Sequence, residues 1–205
     1  RIADQVMDFA PSVTFDIPNG PCFSPDGFLY IAERNRVLQF PAAEFFFEGP
    51  DPAVAIVVPQ GELIPVEEES FNHTARVCRV GPDGKLYISL GQPHNVQPVD
   101  KHEMYDKEGI GGIIRINTDG SNREGYTRGI RNSVAHDFNP ATGDLWCTDN
   151  PVDGMGDDTP PGELNRQTAA GQHFGFPWTN SRVEIPEYRK VPRPEGVDFV
   201  EPQVE

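Results

Sequence analysis

Apolar and polar positions follow one pattern three times along this chain. The copies read Phe23-Ser-Pro-Asp-Gly-Phe-Leu-Tyr-Ile-Ala-Glu33, Val80-Gly-Pro-Asp-Gly-Lys-Leu-Tyr-Ile-Ser-Leu90 and Phe138-Asn-Pro-Ala-Thr-Gly-Asp-Leu-Trp-Cys-Thr-Asp149. Each is an apolar residue, a Pro-Asp-Gly-type turn and an alternating apolar run, which predicts a β-hairpin. The prolines at 25, 82 and 140 set a period of 57 and then 58 residues. The pattern predicts strands at 21–24, 28–33, 36–40, 54–58, 74–80, 85–90, 112–117, 133–138 and 144–149. Helical periodicity is nearly absent. The best candidate, Ala42-Ala-Glu-Phe-Phe-Phe47, reads better as a strand or loop edge.

A fixed period holding several strands is the sequence form of a β-propeller blade. The expectation is an all-β fold: one propeller domain over 1–205, with repeats near 18–60, 72–120 and 130–178. The chain covers about three to four blades; three do not close a ring, because known propellers need at least four, so the chain reads as part of a larger propeller or as the partner of another segment. The tail 184–205, rich in Pro and Glu, reads as an extended connection to a further blade. The stretches 91–110 and 150–183 read as long irregular loops, of the kind that carry function.

Composition narrows the partners. The formal charge is −15, from 32 acidic and 17 basic residues. That argues against nucleic acid and anionic membrane, both of which need basic patches. No apolar run approaches the ~20 residues of a membrane span. Cys22, Cys78 and Cys147 have no zinc or redox spacing and each sits in or beside a repeat strand; they read as small buried hydrophobes and leave the redox compartment open.

Candidate chemistry lies just before each repeat's first strand, at Asn19, at His73, and at Arg131 with Asn132. In a propeller these positions converge on the mouth of the central channel. They would supply one group that titrates near neutral pH and one permanent cation. Neighbours in a regular strand point to opposite faces. An irregular turn at 129–132 is therefore expected, aiming Arg131 and Asn132 together at the mouth near His73. The acidic loop after the third repeat, with Asp149, Asp153, Asp157, Asp158 and Glu163 among glycines, offers hard oxygen ligands suited to Ca²⁺. It is not an EF-hand, and a solvated acidic loop would look the same. Of the other histidines, His136 reads as a core or channel-lining group, His94 and His173 as loop residues near the site, and His102 as surface.

The segment Arg128–Asn165, with Gly-Gln-His-Phe-Gly-Phe-Pro at 171–177, resembles the soluble PQQ-dependent sugar dehydrogenases, the soluble glucose dehydrogenase and L-sorbosone dehydrogenase-like proteins. Pro18-Asn-Gly20, Gly81–Ile88 and Gly112–Asn117 extend the match over about 18–178. The resemblance implies a six-bladed propeller holding pyrroloquinoline quinone (PQQ) and Ca²⁺ at the channel mouth, periplasmic or secreted. It implies His73 as general base and Arg131 and Asn132 on the quinone, with Asn19 beside the cofactor. It also implies metal ligands in the loop from Asn150 and Pro151 through Asp157, Asp158 and Glu163. The substrate would be a sugar or related alcohol or aldehyde, and the electron acceptor a cytochrome or dye. Two departures stand out: Pro151 where relatives often have Gly, and Asn72-His73-Thr74 where they often have His-His-Gly. Two rival readings use the same residues. One is a Ca²⁺-dependent propeller lactonase with side-chain carboxylates and amides on the channel axis. The other is a propeller that binds a ligand without chemistry.

Overall fold

A computed structural model describes residues 3–46, 49 and 51–205. The three repeated turns close in the same way. Ser24 N donates to Phe28 O, Gly81 N to Lys85 O and Asn139 N to Asp144 O, each at 2.9 Å. Gly27 and Gly84 take φ of +87° and +74° at the turn corners. That is left-handed backbone, which glycine adopts without a Cβ penalty.

The hairpins build three sheets. The strands β1 (Asn19–Phe23), β2 (Leu29–Ala32), β3 (Val37–Phe40) and β4 (Ala55–Val58) form an antiparallel meander. A second meander joins β5 (Cys78–Val80), β6 (Leu86–Leu90), β7 (Gly112–Ile116) and β8 (Glu124–Arg128). The third sheet has β9 (His136–Phe138), β10 (Leu145–Asp149) and β11 (Glu163–Gln167). A two-residue strand, β12 (Gln172–His173), adds in parallel to β8, and β13 (Thr179–Asn180) pairs with β14 (Val183–Glu184). β1 packs beside β5, and β5 beside β9, so the first strands of the three repeats are neighbours. The fold is all-β with several sheets, and none of them closes on itself among the described residues.

The core lies between the sheets. Tyr30, Val37, Leu63, Leu86, Ile88, Leu90, Ile114 and Ile116 fill the space between the first and second. Tyr87, Ile113, Ile130, Leu145, Cys147 and Phe174 fill the space between the second and third. Every residue of β6 is buried, as expected of a strand covered on both faces. Tyr87 sets its ring edge-on to Tyr126 and Phe138, with centroids 4.9 and 4.8 Å apart, a favourable quadrupole geometry.

Several expectations change. Cys22 and Cys78 are not separate small hydrophobes: they form a disulfide between β1 and β5, with Cα atoms 5.7 Å apart, and only Cys147 is a free buried thiol. The stretch 91–110 is not irregular throughout. It contains a 3₁₀ turn and a short helix, α1 (His102–Glu108), which Gly109 ends with φ of +73°. Nor is 150–183 one loop, since it contributes β11, β12 and the β13–β14 pair. Of the 42–47 segment, Ala43–Phe46 forms a 3₁₀ turn rather than a strand edge, and Phe47 lies outside the described residues. The tail returns to the third repeat through bridges from Val204 to Leu164 and from Phe199 to His173. Among the described residues no helix is long and apolar enough to cross a membrane.

Candidate functional site

His73 stands in the loop before β5 with φ of +53°, a conformation a residue with a Cβ rarely adopts. Its Nδ1 lies 2.6 Å from Gln92 O. A carbonyl only accepts, so Nδ1 carries the hydrogen. In the neutral ring that leaves the Nε2 lone pair free, the form a base needs. Half-burial holds the imidazole's pKa below its ordinary value; the Arg131 and Arg76 charges act the same way, against the Gln92 carbonyl and Asp153.

Asn132 meets His73 across Gly91, which follows β6. A Cβ at Gly91 would lie 2.8 Å from His73 Cβ and 2.8 Å from His73 O, and would also strike Asn132 Oδ1. Only hydrogen fits between the two functional residues. Asn132 is 5% exposed, and its Oδ1 is buried with no hydrogen-bond partner. A buried orphan acceptor of this kind calls for an explanation, such as a group bound beside it.

Asp149, the last residue of β10, fixes this turn. Its two carboxylate oxygens accept from Arg131 N at 2.9 Å and from Asn132 N at 2.7 Å. Gly129, with φ of +69°, lets the chain leave β8 irregularly before those two residues. Asp149 faces Glu163 across the β10–β11 ladder. Burial, and then the Glu163 charge, push its carboxyl well above the ordinary range. The Glu163 oxygens accept from Asn165 Nδ2 (2.8 Å), Asn180 Nδ2 (2.9 Å) and Ser181 N.

The Arg131 side chain turns towards two loops. Its guanidinium donates to Asn95 O (2.9 Å), Asn95 Oδ1 (2.8 Å), Asn150 O (3.3 Å) and the Asp153 carboxylate (2.8 Å). It is buried, whereas its Asp153 partner is 83% exposed.

The remaining candidates are spread out. Asn19 is exposed on β1, while the adjacent Gly20 lies against the Arg76–Val77 backbone, where a Cβ would come within 2.8 Å of Val77 Cα. Asn150 is exposed and Pro151 half-buried beside the Arg131 turn; Asp157 and Asp158 are exposed on the next turn; Glu163 is buried on β11. Among the described residues no three His, Cys, Asp or Glu side chains come together in a way that could hold a metal. Asp157, Asp158 and Glu163 thus form no such cluster.

His136 is a core residue, with Nε2 3.2 Å from Tyr87 O and a pKa lowered to about 4 by burial. His173 is buried under Gly129, stacked on Phe199 at 4.7 Å, and also lowered to about 4 by burial. His102 is half-buried rather than fully exposed: it packs edge-on to Trp178 at 4.8 Å and bonds Gln97. Gln92, Asn95 and Arg76 are site-forming residues that the sequence pattern does not mark. Gln92 acts through its carbonyl, Asn95 through its carbonyl and Oδ1, and Arg76 through its guanidinium, all from loops of no fixed period.

An uncharacterized protein of Borreliella burgdorferi is 34% identical over 134 residues, covering 64% of this chain and 33% of its own length. The iodide and calcium structures of Trichoderma reesei carbohydrate-active enzymes family AA12 superpose with TM-scores of 0.63 and 0.62. Each is 19% identical and covers 89% of this chain and 54% of the fungal one. The chain thus spans about a third of the bacterial relative and about half of the fungal structure. Residues 63–203 match the family described as Glucose / Sorbosone dehydrogenase, and the chain belongs to that family.

Proposed function

We propose that the protein is a quinoprotein oxidoreductase that oxidises a sugar or a related alcohol or aldehyde, with PQQ and Ca²⁺ as cofactors and His73 as general base. The observation that carries this reading is the convergence on Gly91 of the orphan Asn132 Oδ1 and of His73, whose Nδ1–H is held by Gln92 O and whose Nε2 is left free in the neutral ring.

The residues fit PQQ at this point. Asn132 Oδ1 lies against Gly91 close to the His73 backbone and Cβ, and an unsatisfied buried amide is stabilised by a polar ligand. The side chains proposed for Ca²⁺ fit less well, because Glu163 is already held within its sheet. That leaves Asn150, Pro151, Asp157 and Asp158 as the proposed ligands. When bound, PQQ supplies the two-electron acceptor, and the protein supplies binding, orientation and proton handling. His73 Nε2 takes the proton of the substrate hydroxyl, while Gln92 O holds the ring through Nδ1–H. The lowered pKa keeps that nitrogen unprotonated near neutral pH. Asn132 orients the bound cofactor. Arg131 joins the loops around 95 and 150 and adds positive potential at the mouth. Direct contact of Arg131 with a quinone oxygen would replace one of its present bonds.

Reconstitution with PQQ and Ca²⁺, followed by dye-linked oxidation of a sugar panel, tests the proposal. Oxidation that depends on PQQ, and falls by about 10²–10⁴-fold in His73→Asn, is the expected result. Lactone hydrolysis without PQQ would transfer the site to the lactonase reading. Binding of PQQ or sugar with no turnover would leave a ligand-binding protein.

A further inference from the structure

Arg76 is a second buried cation near the site, as deeply buried as Arg131. It is 2% exposed and belongs to no ion pair among the described residues. Its guanidinium donates only to backbone carbonyls: Nε to Arg34 O at 3.1 Å, and Nη1 to His73 O at 3.1 Å and Gly91 O at 3.3 Å. Burial lowers its pKa to about 10, and nearby Arg34 adds to that effect against Glu69. A buried charge without a counter-ion is costly, so its retention calls for a specific task. The three carbonyls show what that task is. One belongs to the left-handed His73 and one to the glycine separating His73 from Asn132. The third lies between β2 and β3 of the neighbouring sheet.

We propose that Arg76 is a positioning residue for His73: its guanidinium fixes the His73 and Gly91 carbonyls and thereby holds the base in its left-handed conformation facing Asn132. The proposal rests on His73 being the base. A guanidinium suits this role because its donors form a rigid planar fork that can serve several acceptors at once. The same cation also acts on the charge of the imidazole. Together with Arg131 and opposite Asp153, it sets the charge around the ring.

A four-protein melting cycle tests the backbone role without reference to turnover. His73→Ala and His73→Gly are compared with Arg76 present and with Arg76→Met. If Arg76 enforces the positive φ, His73→Gly melts about 2–4 °C above His73→Ala when Arg76 is present. The gap closes in the Arg76→Met background, because the loop is then free to relax. An equal gap in both backgrounds overturns the proposal. If Arg76→Met melts too low to measure, Arg76→Lys is read in the same cycle. One ammonium cannot reproduce the fork, so the gap narrows; an unchanged gap again overturns the proposal.

The second readout is kinetic. Arg76→Met lowers kcat by up to about 10²-fold, leaves KM for the sugar near its normal value, and moves the acid limb of the pH–rate profile to higher pH. Arg76→Lys restores the limb because the charge is kept. A limb that does not move in Arg76→Met counts against the proposal. Normal turnover in His73→Asn would end the base reading and leave the melting cycle intact. The two ideas therefore fail separately.

Discussion

At the scale of single residues, the site is organised by backbone contacts as much as by side chains. Gln92 offers only its carbonyl to His73, and that choice of acceptor fixes the imidazole tautomer. Asp149 commits both oxygens to the amides of Arg131 and Asn132. Gly91 contributes the absence of a side chain. Gly91→Ala would place a methyl 2.8 Å from both His73 Cβ and His73 O, and against Asn132. Backbone and two functional side chains would have to move, and overpacking of this kind costs about 1–3 kcal/mol. The expected result is a lower urea midpoint together with weaker PQQ retention on gel filtration. Unchanged retention in a folded Gly91→Ala protein would mean that the cofactor does not lie beside this contact.

At the scale of elements, the strands legible in the sequence were those bounded by Pro-Asp-Gly turns, where alternation and turn chemistry agree. β2, β3, β6 and β10 lie within the expected bounds, because their buried residues are apolar apart from Ser89 and Asp149. β8, Glu-Gly-Tyr-Thr-Arg, and β11, Glu-Leu-Asn-Arg-Gln, carry no such signal. Their inward positions are polar and are satisfied by side-chain hydrogen bonds, as where Thr127 bonds Gln167 and Glu163 bonds Asn165. α1 is too short for a periodicity to show, and Tyr105 is its only buried residue. His73, Arg131 and Asn132 were legible as site candidates because they precede repeat strands at matching positions. Their supports at 76, 92 and 95 were not.

The Cys22–Cys78 bridge was hidden for a related reason. Nearly equivalent positions in the first strands of successive repeats become neighbours only after the sheets pack, although 56 residues separate them in sequence. A bridge closing a loop of that length restricts the unfolded chain and contributes about 2–4 kcal/mol. Replacing both cysteines with Ala should lower unfolding stability by that amount and leave Cys147 buried. Peptide mapping without reductant should recover residues 22 and 78 in one linked species. Recovery of two free thiols from the oxidised protein would refute the bridge.

At the scale of the whole molecule, buried titratable groups set how stability responds to acid. His136 and His173 are neutral in the fold, with pKa values lowered to about 4 by burial, and His73 and His102 are lowered in the same direction. In the unfolded chain a histidine takes up its proton near pH ~6.5. Between about pH 6.5 and 4 the unfolded state therefore binds more protons at these positions, and stability falls as pH falls. His136 and His173 each contribute on the order of 3 kcal/mol across that window. Asp149 opposes them. Its raised pKa makes the folded state bind the extra proton, so its share of stability grows as pH falls through the same range. Several histidines act against one carboxyl, so the expected net effect is a loss of stability from about pH 6.5 to 4, read as a falling urea midpoint. Replacing His173 with Phe keeps an aromatic ring to stack on Phe199 and removes one titrating group, so the slope should become shallower. A midpoint that stays level or rises as the pH drops through this window would show that these histidines are not held neutral in the folded protein.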